Sequence, residues 1–294
     1  MVKIGTDLQG TRGSNMEETE KYAKILSVQP FWEAEKNNRS ILTDSELGGP
    51  VAVAYELTAG QETDGLTSVP GIGLLGIMFS LEKEKPQAMI CGLLNKSKKV
   101  PLYGVHHTLC CQFFPGQFTR LFGIPSREVT DMEAPLEDFI RVGTVPEEIA
   151  TAEGFENQMA IIRRFIEEWK NRKLRDNSDG LVQYLMKDAL QKHGSLQIAQ
   201  LEKDTGYSAR YLQRVMLEHV GLAPKTALNN IRFQSVLRRL LENPFCSLAE
   251  TAQACGYYDQ SYFTKVFKEY MGTTPAAFVK QIQEMVRKGE PVKK

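Results

Sequence analysis

The stretches TGYSARYLQRV (residues 205–215) and CGYYDQSYFTKV (residues 255–266) are two copies of one pattern, and the second copy has one extra residue in its turn. Each copy follows a short run of apolar and small residues and is followed by a glycine and then a proline. The copies lie about 50 residues apart, a period typical of a repeated supersecondary unit. Residues 195–278 therefore form two similar units, and the rest of the chain is organised around them.

Each copy has the start and stop signals of two helices joined by a tight turn. Gly206 and Gly256 supply the left-handed backbone conformation that ends a helix. Ser208 and Asp259 are good N-caps for the helix that follows, and residues 247–250 have the pattern of a capping box. A helix, a glycine turn and a second helix are the arrangement of a helix-turn-helix unit.

The second helix of each unit has an apolar side and a polar side. Its apolar residues recur at spacings of three and four, which places them on one face. The opposite face carries the side-chain types that hydrogen-bond to base edges in the major groove: Arg210, Gln213 and Arg214 in the first unit, and Gln260, Ser261 and Lys265 in the second. A solvated surface explains either helix alone, but two copies with matching turns and caps favour sequence-specific binding of double-stranded DNA.

One long helix is predicted between the two units. Pro224 suits its first turn, and Asn243-Pro244 ends it. A helix of about 18 residues is about 27 Å long, which sets the two reading helices roughly one DNA turn apart. The predicted phosphate contacts are Lys225, Arg232 and Lys268, and such contacts make affinity depend on salt.

These motifs resemble the DNA-binding domain of the AraC/XylS family of transcription regulators. The resemblance covers residues 181–280, and its most specific part is the segment 255–278. It implies a domain of seven helices in which two helix-turn-helix units flank a long helix. It also implies that the six polar residues listed above face the bases.

The predicted fold class is α+β: a mixed, mainly β N-terminal regulatory domain, then an all-α DNA-binding domain with two helix-turn-helix units joined by a long helix. Residues 181–294 contain 16 Lys and Arg against 10 Asp and Glu, a net charge of +6. Because the whole chain has 36 of each, residues 1–180 carry −6. This asymmetry fits one DNA-binding and one other domain.

The predicted divisions are a flexible tail (1–16), a regulatory or sensor-like domain (17–169), a linker (170–180) and the DNA-binding domain (181–294).

Short runs with strand character dominate the region before residue 115. They predict a small β-sandwich or barrel, with strands at 51–57, 72–81, 88–94, 100–105 and 108–114. Helices are predicted at 17–26, 117–122, 146–152 and 155–171. The last has an apolar stripe that favours packing against the core and leaves pairing with a second copy as the alternative.

Residues 70–140 resemble the sensor-like domain, of uncharacterised function, that precedes the DNA-binding half in a subset of AraC-type regulators. The motifs FFPG (113–116), LFGIP (121–125) and PLED (135–138) carry this resemblance. It implies a regulatory role through domain arrangement and identifies no ligand.

The string GIGLLG (residues 71–76) fits a dinucleotide-binding fingerprint. Such a site needs a helix after it and an acidic residue about 20 positions on. A strand-like segment follows here, and residues 94–96 hold no acid. A glycine-rich entry into a strand is therefore the favoured interpretation.

The string HHTLCC (residues 106–111) is the best metal or redox candidate. His106 and Cys110 share one strand face, but the remaining ligands of a closed site are missing nearby. The alternative function is a DNA-binding protein whose N-terminal domain is a cysteine-based redox or metal sensor. An alkyl acceptor is the other form of this alternative, with Cys91, Cys110 or Cys111 as the acceptor.

The cysteine count, the N-terminal residues and the apolar runs limit the classes of protein to which this chain can belong. An odd count of five cysteines fits a reducing cytosol, and residues 1–22 lack an apolar leader. The longest apolar run, 71–79, is too short to span a bilayer. We expect a cytoplasmic protein without cofactor or catalytic motif, whose partner is promoter or operator DNA. A small-molecule effector, RNA polymerase and a second copy remain open as further partners.

Overall fold

The computed structural model describes residues 41–43, 49–58, 66–69, 71, 74–101, 107–171 and 178–288. Strands dominate the N-terminal part of this range and helices the C-terminal part, which confirms the predicted α+β class. The predicted tail at 1–16, the helix predicted at 17–26 and residues 172–177 of the predicted linker lie outside the described residues.

The N-terminal region is an antiparallel sheet with a separate strand pair. Its described strands are β1 (Ile41–Thr43), β2 (Val51–Thr58), β3 (Leu66–Val69), β4 (Gly76–Ser80), β5 (Ala88–Cys91), β6 (Lys98–Pro101), β7 (His107–Phe113) and β8 (Glu133–Pro135). The six-stranded sheet has the order β1-β2-β7-β4-β5-β8, and β3 pairs with β6. Strands β1, β3 and β8 escaped prediction because three or four residues are too few for an alternating pattern.

Both faces of β7 are buried. The odd-numbered residues from 109 to 113 belong to the main core, while Cys110 packs with Val53 and Tyr55 on the opposite face. Successive side chains of a strand point to opposite faces, so β7 separates two different environments.

Three α-helices lie between β7 and residue 171 of the described chain: α1 (Gln117–Phe122), which precedes β8, and then α2 (Val145–Thr151) and α3 (Phe155–Lys170). The apolar stripe of α3 faces the core, where Met159 and Phe165 are buried. The ring centroids of Trp169 and Phe122 lie 5.5 Å apart. Packing within the chain thus accounts for the stripe without a second copy.

The C-terminal region matches the predicted order of helices. They are α4 (Asp179–Gln191), α5 (Ile198–Thr205), α6 (Ala209–Val220), α7 (Pro224–Glu242), α8 (Leu248–Ala254), α9 (Gln260–Met271) and α10 (Pro275–Arg287). Helices α5 and α6 form the first unit, α8 and α9 form the second, and α7 joins them over 19 residues. None of the described helices combines the length and apolar character needed to cross a bilayer.

The core divides in two within α7. One continuous cluster of buried side chains runs from the sheet through α1, α3 and α4 into the first unit and ends at Ile231. A second cluster begins at Phe233 and contains the second unit with α10. The first unit therefore shares its core with the N-terminal region, and the second unit has a core of its own.

Helix α7 is buried on more sides than the predicted apolar stripe implies. Phe233, Val236 and Leu240 are inaccessible to solvent, and the polar Gln234 and Asn230 are buried with them. The turn before α5 packs closely against this helix, since a Cβ added to Gly194 would lie 2.2 Å from the carbonyl oxygen of Leu228. Gly194 also has a φ of +73°, so only glycine fits without strain.

Replacing this glycine tests the close approach. We expect Gly194→Ala to lower the free energy of unfolding by about 2–4 kcal/mol, because left-handed strain adds to overpacking. Urea denaturation of the full chain measures the change. Gly180→Ala is the control, since nothing lies within 4 Å of the added Cβ; equal stabilities of the two variants would contradict the prediction.

Candidate nucleic-acid interface

The turns of both units are built as the sequence predicts. Gly206 has a φ of 72° and its N–H caps α5, and Gly256 has a φ of +80°. The Ser208 side chain accepts a hydrogen bond from the N–H of Tyr211 at 3.4 Å. At the start of α9, Asp259 accepts the N–H of Tyr262 at 2.9 Å. These caps fix where each reading helix, α6 or α9, begins.

The six predicted base contacts share one property: each side chain is exposed. They lie in the N-terminal halves of the reading helices, Arg210, Gln213 and Arg214 on α6, and Gln260, Ser261 and Lys265 on α9. The opposite faces of the same helices are buried in the two cores, through Leu212 and Val215 on α6 and Phe263 and Val266 on α9. Each unit therefore presents a polar reading face to solvent.

One base-contact candidate is positioned by aromatic rings. The guanidinium carbon of Arg214 lies 4.9 Å from the centroid of the Tyr211 ring. That ring stacks on Tyr207, with 4.7 Å between centroids and 19° between planes. A cation held over an aromatic face loses less freedom on binding, so this stack restricts Arg214 before DNA arrives.

The predicted phosphate contacts fall into two groups. Lys225 and Lys268 are exposed and are free to meet a phosphate. Arg232 is half-buried and donates a hydrogen bond to the carbonyl oxygen of Gly194 at 2.9 Å. Its guanidinium carbon also lies 5.7 Å from the centroid of the Tyr257 ring. Arg232 thus joins the two units inside the protein, which argues against a phosphate contact by this residue.

Tyr257 is the partner of Arg232 in the second unit, and its hydroxyl is buried. Within the described chain this hydroxyl has no hydrogen-bond partner, and burial is the main cause of the raised pKa of the phenol. The ring therefore contributes packing and a cation–π contact, while the hydroxyl carries an uncompensated desolvation cost.

A pair of substitutions separates the ring from the hydroxyl. We expect Tyr257→Phe to leave stability unchanged or to raise it by about 1 kcal/mol, because the unpaired buried hydroxyl is removed. Tyr257→Leu loses the ring face under Arg232 and should be destabilised by about 1–3 kcal/mol. Thermal unfolding of both variants provides the measurement, and a clearly destabilised Tyr257→Phe would show that the hydroxyl is in fact satisfied.

The thiols are poorly placed for chemistry. All five cysteines lie in the described residues as thiols outside any disulfide, and Cys110 and Cys111 are buried. Burial, followed by the neighbouring Cys110, raises the pKa of the Cys111 thiol, so it stays protonated and weakly nucleophilic at neutral pH. In the described residues no three His, Cys, Asp or Glu side chains are grouped to hold a metal ion. His106, the other metal candidate, lies outside the described residues.

Alkylation tests whether these thiols can act as sensor or acceptor. We expect the folded chain treated with iodoacetamide at neutral pH to be labelled at Cys246, which is half-exposed, well before Cys111. Peptide mass spectrometry measures the order of labelling. Raising the pH or adding urea should accelerate the reaction of Cys111. Rapid labelling of Cys111 in the folded chain at neutral pH would contradict the prediction and support the alternative of a cysteine-based sensor or acceptor.

Two glycines of the GIGLLG string, Gly71 and Gly76, serve packing. A Cβ on Gly71 would lie 2.9 Å from the backbone of Lys96, and one on Gly76 would lie 2.9 Å from the carbonyl oxygen of Cys111. Gly76 begins strand β4, and the helix that a dinucleotide site needs is absent from residues 76–101. The close contacts favour the interpretation as a glycine-rich strand entry.

Comparison with known proteins agrees with this geometry. Residues 201–281 match the family model described as a helix-turn-helix domain. The Msm operon regulatory protein of Streptococcus mutans is 34% identical over 89 residues, which are 30% of this chain and 32% of that protein. The probable transcription factor PqrA of Proteus vulgaris is 29% identical over 89 residues, or 30% and 72% of the two chains.

The transcriptional activator RhaS of Escherichia fergusonii is 34% identical over 68 residues, or 23% of this chain and 24% of that protein. This chain thus spans about a third of the Msm regulator and a quarter of RhaS, but most of PqrA. Among solved structures, an apo ToxT variant from Vibrio cholerae has a TM-score of 0.45 at 15% identity, covering 78% of this chain and 97% of that one. That TM-score is too low to support inference. The paired units and the family match identify residues 201–281 as a helix-turn-helix domain, which agrees with the resemblance to the AraC/XylS family.

Proposed function

We propose that this chain is a sequence-specific DNA-binding transcriptional regulator that reads two adjacent major-groove segments. The observation that carries the proposal is the pair of exposed polar faces on α6 and α9, whose units are joined by the buried helix α7. A helix N-terminal half carrying Arg, Gln and Ser matches the way helix-turn-helix proteins contact base edges. The matched relatives are named as regulators of transcription.

Base contacts are assigned to Arg210, Gln213 and Arg214 of α6 and to Gln260, Ser261 and Lys265 of α9. Phosphate contacts are assigned to Lys225 and Lys268. Their exposure supports this assignment, as does the aromatic stack that restrains Arg214. Arg232 is left out because its guanidinium already joins the two units.

The N-terminal region regulates this binding by sensing a small molecule or by contacting a protein. Support comes from the face of β7 that lies away from the main core. The hydroxyl of Thr108 and the amide oxygen of Gln112 are buried there and have no hydrogen-bond partner among the described residues. Both lie beside Cys110 and Tyr55. Buried unpaired polar groups next to apolar ones are what a ligand with hydrogen-bond donors requires.

Selection from random duplex DNA tests the central proposal. The full chain is used, because the first unit shares its core with the N-terminal region. We expect a site with two short conserved blocks about one helical turn apart. If no sequence is enriched at either low or high salt, the proposal is wrong. The selected site then allows small molecules to be screened for changes in affinity.

Substitution of reading residues tests the assignments. We expect Gln213→Ala or Arg214→Ala to weaken binding to the selected site by about 1–3 kcal/mol and to relax preference at one base pair. Fluorescence anisotropy on matched and single-substituted duplexes measures both effects. Arg141→Ala, which removes an exposed arginine far from either unit in sequence, is the control; unchanged binding in both test variants would remove those residues from the reading set.

A further inference from the structure

The C-terminal ends of both reading helices rest on the N-terminal region. The last carbonyls of an α-helix have no partner within the helix and need donors from elsewhere. At the end of α6 these donors come from residues 91 to 100 positions away in the sequence. At the end of α9 they come from Ser97 and Gly71, which lie 172 and 199 positions before their acceptors. The N-terminal region therefore holds each reading helix at the end opposite to its predicted base contacts.

The end of α6 is held by buried hydroxyls. Ser126 donates to the carbonyl oxygen of His219 at 2.7 Å, and Thr130 donates to that of Gly221 at 3.3 Å. Ser126 is inaccessible to solvent and His219 nearly so. The first unit also shares the main core, so this attachment is part of a buried interface.

The end of α9 is held by backbone amides and one ion pair. The N–H of Ser97 donates to the carbonyl oxygen of Glu269, and the N–H of Gly71 donates to that of Tyr270, both at 3.0 Å. The ammonium of Lys96 lies 3.0 Å from the Glu269 carboxylate. The side chains of this pair are 71% and 40% exposed, so the ion pair is accessible to solvent, whereas Gly71 and Tyr270 are buried.

A short path connects the two attachments. Asp131, next to Thr130, accepts hydrogen bonds from the backbone and side-chain nitrogens of Asn95 at 2.8 and 2.7 Å. Asn95 in turn precedes Lys96 and Ser97. Asp131 holds a φ of 56°, a conformation that is uncommon outside glycine and marks a constrained turn. Residues 95–97 and 130–131, hereafter the bridge, thus span from the end of α6 to the end of α9.

We propose that the bridge positions α9 relative to α6 and so sets the separation of the two DNA blocks that the chain reads. It acts at the C-terminal ends of the helices and leaves the exposed reading faces uncovered, which fits positioning rather than blocking. The second unit has its own core and is the part that moves when the bridge is broken. This inference rests on the proposed function, because it concerns how two DNA-reading faces are arranged.

Charge exchange at the exposed pair tests the bridge on the full chain. We expect Lys96→Glu to bind the selected site about three- to tenfold more weakly. We also expect it to tolerate one inserted base pair between the blocks with less than about a threefold loss, where the natural chain loses about tenfold or more. The double variant Lys96→Glu, Glu269→Lys should recover the natural affinity and spacing preference. Asp131→Asn should relax spacing in the same way as Lys96→Glu, because it weakens the link to Asn95.

Lys98→Glu is the matched control. Lys98 lies two residues further on, is paired with Glu133 at 2.9 Å and is similarly exposed, but its partner belongs to the N-terminal region. It therefore carries the same charge change without touching α9. Identical behaviour of Lys96→Glu and Lys98→Glu, or tighter binding by Lys96→Glu, would overturn the proposal.

A measurement without DNA separates the bridge from the proposed function. Spin labels at Gln213→Cys and Ser261→Cys, in a Cys246→Ser background, report the distance between the reading faces. One narrow distribution is expected for the natural pair and the double exchange, and a broader one for Lys96→Glu. If no DNA site is selected, the proposed function fails while this distance still decides the bridge, and an unchanged distribution in Lys96→Glu rejects it.

Discussion

The burial of helix α7 is the constraint on which the rest of the structure depends. Its residues up to Ile231 belong to one core and those from Phe233 belong to the other. Between them, Arg232 links Gly194 of the first unit to Tyr257 of the second. A helix that supplies both cores cannot rotate about its axis without losing apolar burial in each, at about 25 cal/mol for every Å² exposed. The relative orientation of α6 and α9 is therefore limited by one rigid element.

The two buried cores do not coincide with the two domains that were predicted from the sequence. Composition and charge place a boundary at residues 170–180, between an acidic and a basic half. One buried cluster instead contains residues from both sides of that boundary, with Phe122 and Trp169 before it and Val182 and Leu212 after it. The first unit is packed as part of the N-terminal body, and the clearer break in packing lies within α7. A fragment beginning near residue 176 would expose the surface of the first unit that this body covers.

Sequence reasoning succeeded where the signal is local. The glycine turns and the caps at Ser208 and Asp259 lie within a few residues of the helices that they define, so their pattern is sufficient. It did not foresee the contacts of Arg232, whose charge suggests a phosphate contact and whose guanidinium lies against Gly194 and Tyr257. It also missed the bridge, because a backbone N–H at Ser97 has no side-chain signature and its acceptor lies far along the chain. Long-range backbone contacts of this kind are visible only in the folded structure.

The contacts that hold α6 to the N-terminal region differ in burial from those that hold α9, and this difference determines which helix a signal would move. Buried hydroxyl donors such as Ser126 are costly to leave unpaired, which ties α6 to the N-terminal region. The Lys96–Glu269 pair is exposed to water, and such pairs contribute little to stability. A ligand or partner that shifts the loop at residues 95–97 therefore breaks an exposed ion pair and the Ser97–Glu269 backbone hydrogen bond at α9, while the buried Ser126–His219 hydrogen bond at α6 stays in place. A conformational change of the N-terminal region that is transmitted through these contacts will therefore move the second unit relative to the first, because the first unit is packed into the same core as the N-terminal region.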